Sequence, residues 1–119
     1  MTDRELLELA AKAAGLSAYW VDAGLNTHTD ACPHIWNPLT DDGDALRLAV
    51  KLGIKVCPYP IFGHEKHSVI ASRRWFAPPE DDENTYIGPE IIVLYGDDPA
   101  AATRRAIVRA AAAIGEAMK

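Results

Sequence analysis

The sequence predicts a single-domain α+β protein, an α/β/α sandwich with about three helices on a mostly antiparallel sheet. The chain has 119 residues, a size typical of one domain. Three segments, at about 2–14, 42–52 and 98–118, combine apolar residues at helical spacing with capping residues at their starts. A continuous apolar run, Ile91–Leu94, indicates a strand covered on both faces, and therefore helices above and below the sheet.

The first helix begins at a capping box formed by Thr2 and Glu5, whose side chains satisfy backbone N–H groups at the helix start. Gly15 supplies the left-handed residue that commonly ends a helix. A strand over residues 16–21 is expected next, because Tyr, Trp and Val favour extended structure and an Asp-Ala-Gly turn follows. Residues 25–37 show no clear pattern.

The second helix follows a group of acids, Asp41, Asp42 and Asp44. Such a group suits a magnesium site, but acids ahead of an apolar helix are also capping residues that complement the helix dipole. We favour capping as their complete explanation. Apolar residues occupy most of the circumference after this start, so the helix is expected to be deeply packed and to end at Gly53.

The remaining strands are expected near residues 54–56, 69–75 and 90–95. Prolines 58 and 60 cannot donate to a ladder, so the first of these segments is expected to lie at a sheet edge or to leave the sheet. The acidic, proline-containing segment 78–84 is expected to be a solvated loop between antiparallel neighbours. The strand at 90–95 is expected at the centre of the sheet, and Gly88-Pro89 before it is interpreted as a turn.

The last helix is capped by Asp97 or Asp98, with Pro99 in its first turn. Arg105 and Arg109 project from the side opposite its apolar stripe. The alanines at 110–113 are small enough to let the helix axis approach a sheet closely.

Two segments resemble a known family. They are Trp36-Asn37-Pro38-Leu39-Thr40-Asp41-Asp42, ahead of the second helix, and Ala102-Thr103-Arg104-Arg105-Ala106-Ile107-Val108 in the last helix. Together they are similar to the phage ABA sandwich domain of small phage and prophage proteins. This resemblance implies an α/β/α sandwich encoded by a phage or prophage. The family has no settled biochemical role, so the resemblance implies no catalytic residue.

Composition restricts the classes of function. The formal net charge is −5, which opposes binding to a phosphate backbone, so nucleic acid is a disfavoured partner. No signal peptide or membrane-spanning stretch is visible. With only Cys32 and Cys57, the chain lacks the cysteine content of a disulfide-stapled secreted domain. We expect a protein of the bacterial host cytoplasm with reduced thiols and no membrane association.

A metal or thiol site is the main enzymatic alternative. Cys32, His34, His64 and His67 are residue types that bind zinc, and either cysteine beside an imidazole is a possible nucleophile. No paired C-x2-C unit is present, and no helix is predicted under either cluster. We therefore expect no cofactor, no bound metal and no catalytic residue, with a small metal- or thiol-dependent enzyme as the alternative.

Protein binding is the function that the sequence favours. Every strong pattern is explained by folding, which leaves a few aromatic, polar and basic residues as candidate contacts. The partner is expected to be a host or phage protein, with a nucleic-acid-associated role as a further alternative. The candidate binding residues are Trp36, Asn37, Trp75, Arg105 and Arg109.

Overall fold

The computed structural model describes residues 1–27, 34–59, 68–75, 86–94 and 96–118, with backbone alone for Tyr59, 73–75 and 86–90. These residues form an α+β fold, as predicted. Its elements in chain order are α1 (Asp3–Ala13), β1 (Tyr19–Val21), β2 (Gly24–Asn26), α2 (Asp42–Leu52), β3 (Lys55–Tyr59), β4 (Ser68–Trp75), β5 (Tyr86–Leu94) and α3 (Pro99–Ala117).

The helices begin where their capping residues predicted. Thr2 Oγ1 accepts a hydrogen bond from the Glu5 N–H, at 3.2 Å. Asp41 and Asp98 cap α2 and α3 in the same way, each accepting from the backbone three residues further on. Gly53 ends α2 in the left-handed conformation, with φ of 66°. Local chemistry therefore sets the helix ends.

The described strands form two antiparallel sheets. β1 and β2 make a small hairpin, to which Ile35 adds a single bridge opposite Asn26. The second sheet has the order β3-β4-β5. β3 lies at an edge, which is one of the two positions that its prolines predicted, and Pro58 is tolerated there opposite Val69 of the central strand β4.

The prediction that the run Ile91–Leu94 is central and covered on both faces is wrong. β5 is an edge strand of the described sheet, and its side chains alternate between the two faces. Ile91 and Val93 pack against the core, whereas Ile92 is 57% and Leu94 59% exposed. The second helix layer of the expected α/β/α sandwich is not seen among the described residues, because α3 covers one face of this sheet, α1 and α2 pack against α3, and Ile92 and Leu94 on the other face are exposed.

Gly88-Pro89, interpreted above as a turn, lies inside β5. The pairing of β4 with β5 shifts between Ser72 and Arg74, where the register passes from Glu90 to Ile87. Two residues of β5 therefore lie opposite one residue of β4, which is the pattern of a β-bulge. A bulge accommodates a proline inside a strand because it interrupts the ladder locally.

α3 packs against the sheet on one side and against α1 and α2 on the other. One small residue of α3, Gly115, permits a close approach to another helix. A Cβ atom placed on Gly115 would collide with the backbone carbonyl of Leu9 in α1. The absence of a side chain at Gly115 therefore sets the distance between α1 and α3.

α2 is not packed on every side, contrary to the expectation from its composition. Leu46 and Val50 lie one turn apart and are exposed. Its buried face carries Ala45, Leu48, Ala49 and Leu52, together with the carboxylate of Asp44. The distribution of apolar residues around the helix does not identify this face, because the rest of the fold decides which side of the helix is covered.

Candidate functional site

Asp44 is the buried acid among the residues whose side chains the structure describes, and it is only 1% exposed. It lies in the first turn of α2, where helical periodicity places it on the same side as Leu48 and Leu52. A carboxylate is costly to bury without partners. The groups that surround Asp44 must therefore compensate its burial, and they form the candidate site.

Three donors surround the Asp44 carboxylate. Arg47 Nη2 donates to Oδ1 at 2.7 Å, and His34 Nε2 lies 3.2 Å from the same oxygen. The backbone N–H of Asn37 donates to Oδ2 at 3.0 Å. Asp44 thus joins the start of α2 to the segment 34–37 that precedes it.

These contacts keep Asp44 ionised. Burial alone would raise the pKa of Asp44, because it disfavours the charged form. The hydrogen bonds from Arg47, the Asn37 backbone and His34, together with the charge of His34, outweigh burial and hold that pKa below its ordinary value. Asp44 is therefore an anionic acceptor at neutral pH.

The segment 34–37 is held in place by the β1–β2 hairpin. The His34 N–H donates to the side-chain oxygen of Asn26 at 3.1 Å, and Asn26 Nδ2 donates to the Tyr19 hydroxyl at 2.8 Å. The Trp36 N–H donates to the Leu25 carbonyl at 2.8 Å. The hairpin therefore positions the imidazole that meets Asp44, although residues 25–37 carried no recognisable pattern.

A pocket of about 240 Å³ opens beside this cluster. Its apolar wall comes from the end of α1, the segment after it, Trp36 and α2. The apolar lining residues are Ala14, Leu16, Trp36 and Leu48. The polar lining residues are Thr27, His34, Asp44, Arg47 and Lys51. Apolar concave surfaces with a few polar groups are typical small-ligand sites. We call this feature the Asp44 pocket.

The aromatic and amide residues that were predicted to contact a partner lie in separate parts of the structure. Trp36 is 6% exposed and belongs to the core, where it forms part of the pocket wall. Asn37 bonds locally, because its side-chain oxygen accepts from the Leu39 N–H at 3.0 Å. Trp75 ends β4, and its side chain lies outside the described part of the chain.

The two predicted arginines lie on α3. Arg105 Nη2 pairs with Asp3 Oδ1 at 3.0 Å and borders a second hollow, of about 350 Å³, next to Val93 and Leu94. Arg109 is exposed and forms no ion pair within the described residues. The predicted contacts are therefore dispersed, with Trp36 on the Asp44 pocket and Arg105 near the end of β5.

The acids before α2 have three separate roles, so capping is not their complete explanation. Asp41 is the cap, while Asp42 Oδ1 accepts from Arg104 Nη1 of α3 at 2.7 Å. Asp44 is buried in the pocket wall. Sequence reasoning missed Asp44 as a site residue, although an acid in line with Leu48 was the signal that could have found it.

The residues of the metal and thiol alternative are mostly outside the described ranges. This applies to Cys32, His64 and His67, whereas His34 contacts Asp44. Cys57 is a half-buried free cysteine in β3. Within the described residues, no three His, Cys, Asp or Glu side chains are grouped as metal ligands would be.

No protein-family profile matches the chain, and no curated protein and no solved structure is significantly similar to it. None of the helices that the structure describes has the length and apolarity needed to cross a membrane.

Proposed function

We propose that the protein is a phage- or prophage-encoded accessory protein that acts by binding another protein. The observation that carries this proposal is the apolar surface on the side of the β3-β4-β5 sheet away from α3. This outer face contains the exposed side chains of Ile92 and Leu94 and the half-buried side chains of Cys57 and Ile70. The phage origin rests solely on the resemblance of residues 36–42 and 102–108 to the phage ABA sandwich domain, since no family profile matches the chain.

The register of the sheet makes the outer face continuous. Cys57 lies opposite Ile70, and Ile70 lies opposite Ile92, so the three residues form one row across the strands. Ile92 and Leu94 are two residues apart on β5 and therefore share this face. Contiguous exposed apolar surface, unlike scattered apolar residues, is typical of protein interaction sites.

The outer face adjoins an open sheet edge. No strand among the described residues pairs with the side of β5 away from β4. An open edge presents unpaired backbone donors and acceptors, to which a partner can add a strand while its side chains contact the apolar face. The partner that fits this surface is a protein segment in extended conformation with apolar residues at alternate positions.

The predicted residue Arg105 lies near this surface. It borders the hollow that also includes Leu94, at the end of β5. A cation at the rim of an apolar patch contributes to the rate and specificity of association. In this proposal, Arg105 is a charged residue at the rim of the same interface.

The proposal is tested by a matched pair of double variants. Ile92→Thr with Leu94→Thr makes the outer face polar and retains acceptable strand residues. Leu46→Gln with Val50→Gln removes two exposed apolar side chains of α2 instead. Tagged proteins are used to capture partners from infected or lysogenic cells. The same protein should be captured by the wild type and the α2 control and be lost with the outer-face variant.

Two results would contradict the proposal. One is capture that the outer-face variant leaves unchanged. The other is sedimentation showing that the purified wild type forms a dimer, which the outer-face substitutions dissociate. In that case the occupant of the outer face is a second copy of the chain.

The enzymatic alternative has one supporting contact. A buried carboxylate next to an imidazole, as in Asp44 and His34, orients the general base in several hydrolases. Arg47 donates to the same carboxylate oxygen, however, which gives Asp44 a structural role as well. One zinc per purified chain, lost in Cys32→Ser and His34→Ala variants, would favour the enzyme over the binding protein.

A further inference from the structure

We infer that the Asp44 pocket binds a small carboxylate with a compact apolar body, such as an aromatic acid. This inference concerns a different surface from the outer face and does not depend on it. It rests on the size of the pocket, its apolar wall and the charges at its mouth.

The size and lining of the pocket select a small apolar molecule. A cavity of about 150 Å³ in a protein core accommodates benzene. The Asp44 pocket, at about 240 Å³, therefore has room for one ring with a short substituent. Leu16, Trp36 and Leu48 supply the apolar contacts that would bury such a ring.

The charges at the mouth select an anion. Arg47 and Lys51 are one helical turn apart on α2, and both border the pocket and are exposed. Lys51 forms no ion pair within the described residues. Cations at this spacing can contact one carboxylate together.

Arg47 retains donors for a ligand although it binds Asp44. Its contacts with Asp44 and Asp41 both use Nη2, at 2.7 and 3.8 Å. Nη1 and Nε form no hydrogen bond within the described residues, so they are able to donate to a bound carboxylate. The absence of a side chain at Gly43 leaves room for the guanidinium, because a Cβ there would lie 3.1 Å from Nη2.

A cationic ligand is disfavoured by the same geometry. Asp44 is the acid that lines the described pocket, and its oxygens already accept from Arg47, His34 and the Asn37 backbone. Among the described lining residues, a ligand amine would be repelled by Arg47 and Lys51 and would have to compete with Arg47 and His34 for the Asp44 carboxylate. The carboxylate of Asp44 therefore orders the site but does not act as the ligand's counter-charge.

Three probes of similar shape test the ligand class: benzoate, benzyl alcohol and benzylamine. The readout is the indole N–H resonance of Trp36, assigned by its loss in Trp36→Phe, during titration of the full chain. Benzoate is expected to shift this resonance saturably. Benzyl alcohol should bind at least about tenfold more weakly, since hydrogen bonds to charged groups are the stronger ones. Benzylamine should give no saturable shift.

Two charge variants separate a specific site from general attraction. Lys51→Gln should weaken benzoate binding by about threefold or more, because it removes a cation at the mouth. Lys55→Gln removes the same charge from exposed β3 and should leave the affinity unchanged. A third variant, Ala14→Leu, fills the pocket from α1 and should abolish binding, and thermal unfolding reports whether it folds.

The inference is overturned by any of three results: no probe shifts Trp36 saturably, benzylamine binds as tightly as benzoate, or Lys51→Gln and Lys55→Gln have equal effects. None of these results bears on capture through the outer face.

Discussion

Gly115 of α3 lies directly against the backbone carbonyl of Leu9 in α1, with no space between them for a methyl group. Helix propensity alone predicts that Gly115→Ala stabilises α3, by up to about 1 kcal/mol. The contact predicts the opposite sign, because an added Cβ forces the two helices apart. We expect Gly115→Ala to lower the free energy of unfolding by about 1 to 3 kcal/mol in urea denaturation. Arg109→Ala, on the exposed side of α3, should change it by less than about 0.5 kcal/mol. A stabilised Gly115→Ala protein would show that α1 and α3 are farther apart.

Asp44 and Asp41 provide a second comparison, since both are acids at the start of α2. Asp44→Asn replaces an ionised acceptor of three donors with a neutral amide, so we expect a loss of about 1 to 3 kcal/mol in the free energy of unfolding. Asp41→Asn keeps a good capping residue and should cost less than about 0.5 kcal/mol. If the two substitutions lowered the free energy of unfolding equally in chemical denaturation, the buried contacts of Asp44 would contribute no more to stability than the cap does.

The lowered pKa of Asp44 makes stability depend on pH in a defined direction. The unfolded chain binds a proton to this group at a higher pH than the folded protein does, so the ionised carboxylate contributes stability above its ordinary pKa of 3.8. That contribution is lost as the pH falls through and below 3.8, towards the folded pKa. Thermal unfolding from pH 7 to pH 3 should show a steeper decline for the wild type than for Asp44→Asn. Parallel curves would mean that Asp44 titrates alike in both states.

Trp36 tests whether a predicted contact residue is a core residue. Because its side chain is buried, Trp36→Ala should destabilise the protein by about 3 to 5 kcal/mol in urea denaturation. Trp36→Phe retains most of the apolar volume and should cost less. If Trp36→Ala retained full stability while losing a captured partner, Trp36 would be a surface anchor.

Arg104 and Arg105 are neighbours in sequence with different surroundings. Arg104 is partly buried, donates to the Leu39 carbonyl at 2.9 Å and pairs with Asp42, so it joins α3 to the start of α2. Arg104→Gln should therefore cost about 1 to 3 kcal/mol of unfolding free energy. Arg105→Gln breaks an exposed pair with Asp3 and should cost at most about 1 kcal/mol. The reverse order, measured by chemical denaturation, would contradict the described packing of α3.

Part of the candidate site was predictable and part was not. Trp36 and Asn37 were singled out by their residue types, and both lie at or beside the Asp44 pocket. The pairing of Asp44 is not predictable, because its partners, His34 and the Asn37 backbone, come from a segment without periodicity. Contacts between an aperiodic segment and a helix depend on the path of the chain, which spacing does not encode.

The sequence by itself determined the helices and much of the order of elements. Thr2, Asp41 and Asp98 mark helix starts through hydrogen bonds to backbone only three residues away, so these signals are complete within a short window. The exclusion of β3 from the centre of the sheet was likewise determined locally, because Pro58 lacks a donor wherever it is placed.

Only the tertiary structure decided which apolar surfaces are covered. Ile92 and Val93 are adjacent apolar residues, yet one is exposed and the other packs against the core, because α3 covers one face of the sheet. The same dependence separates Asp44 from Asp41 and makes Gly115 a packing residue. Burial depends on contacts between segments that are distant in the sequence. The hydrophobic periodicity and the conformational propensity of a single segment therefore do not determine it.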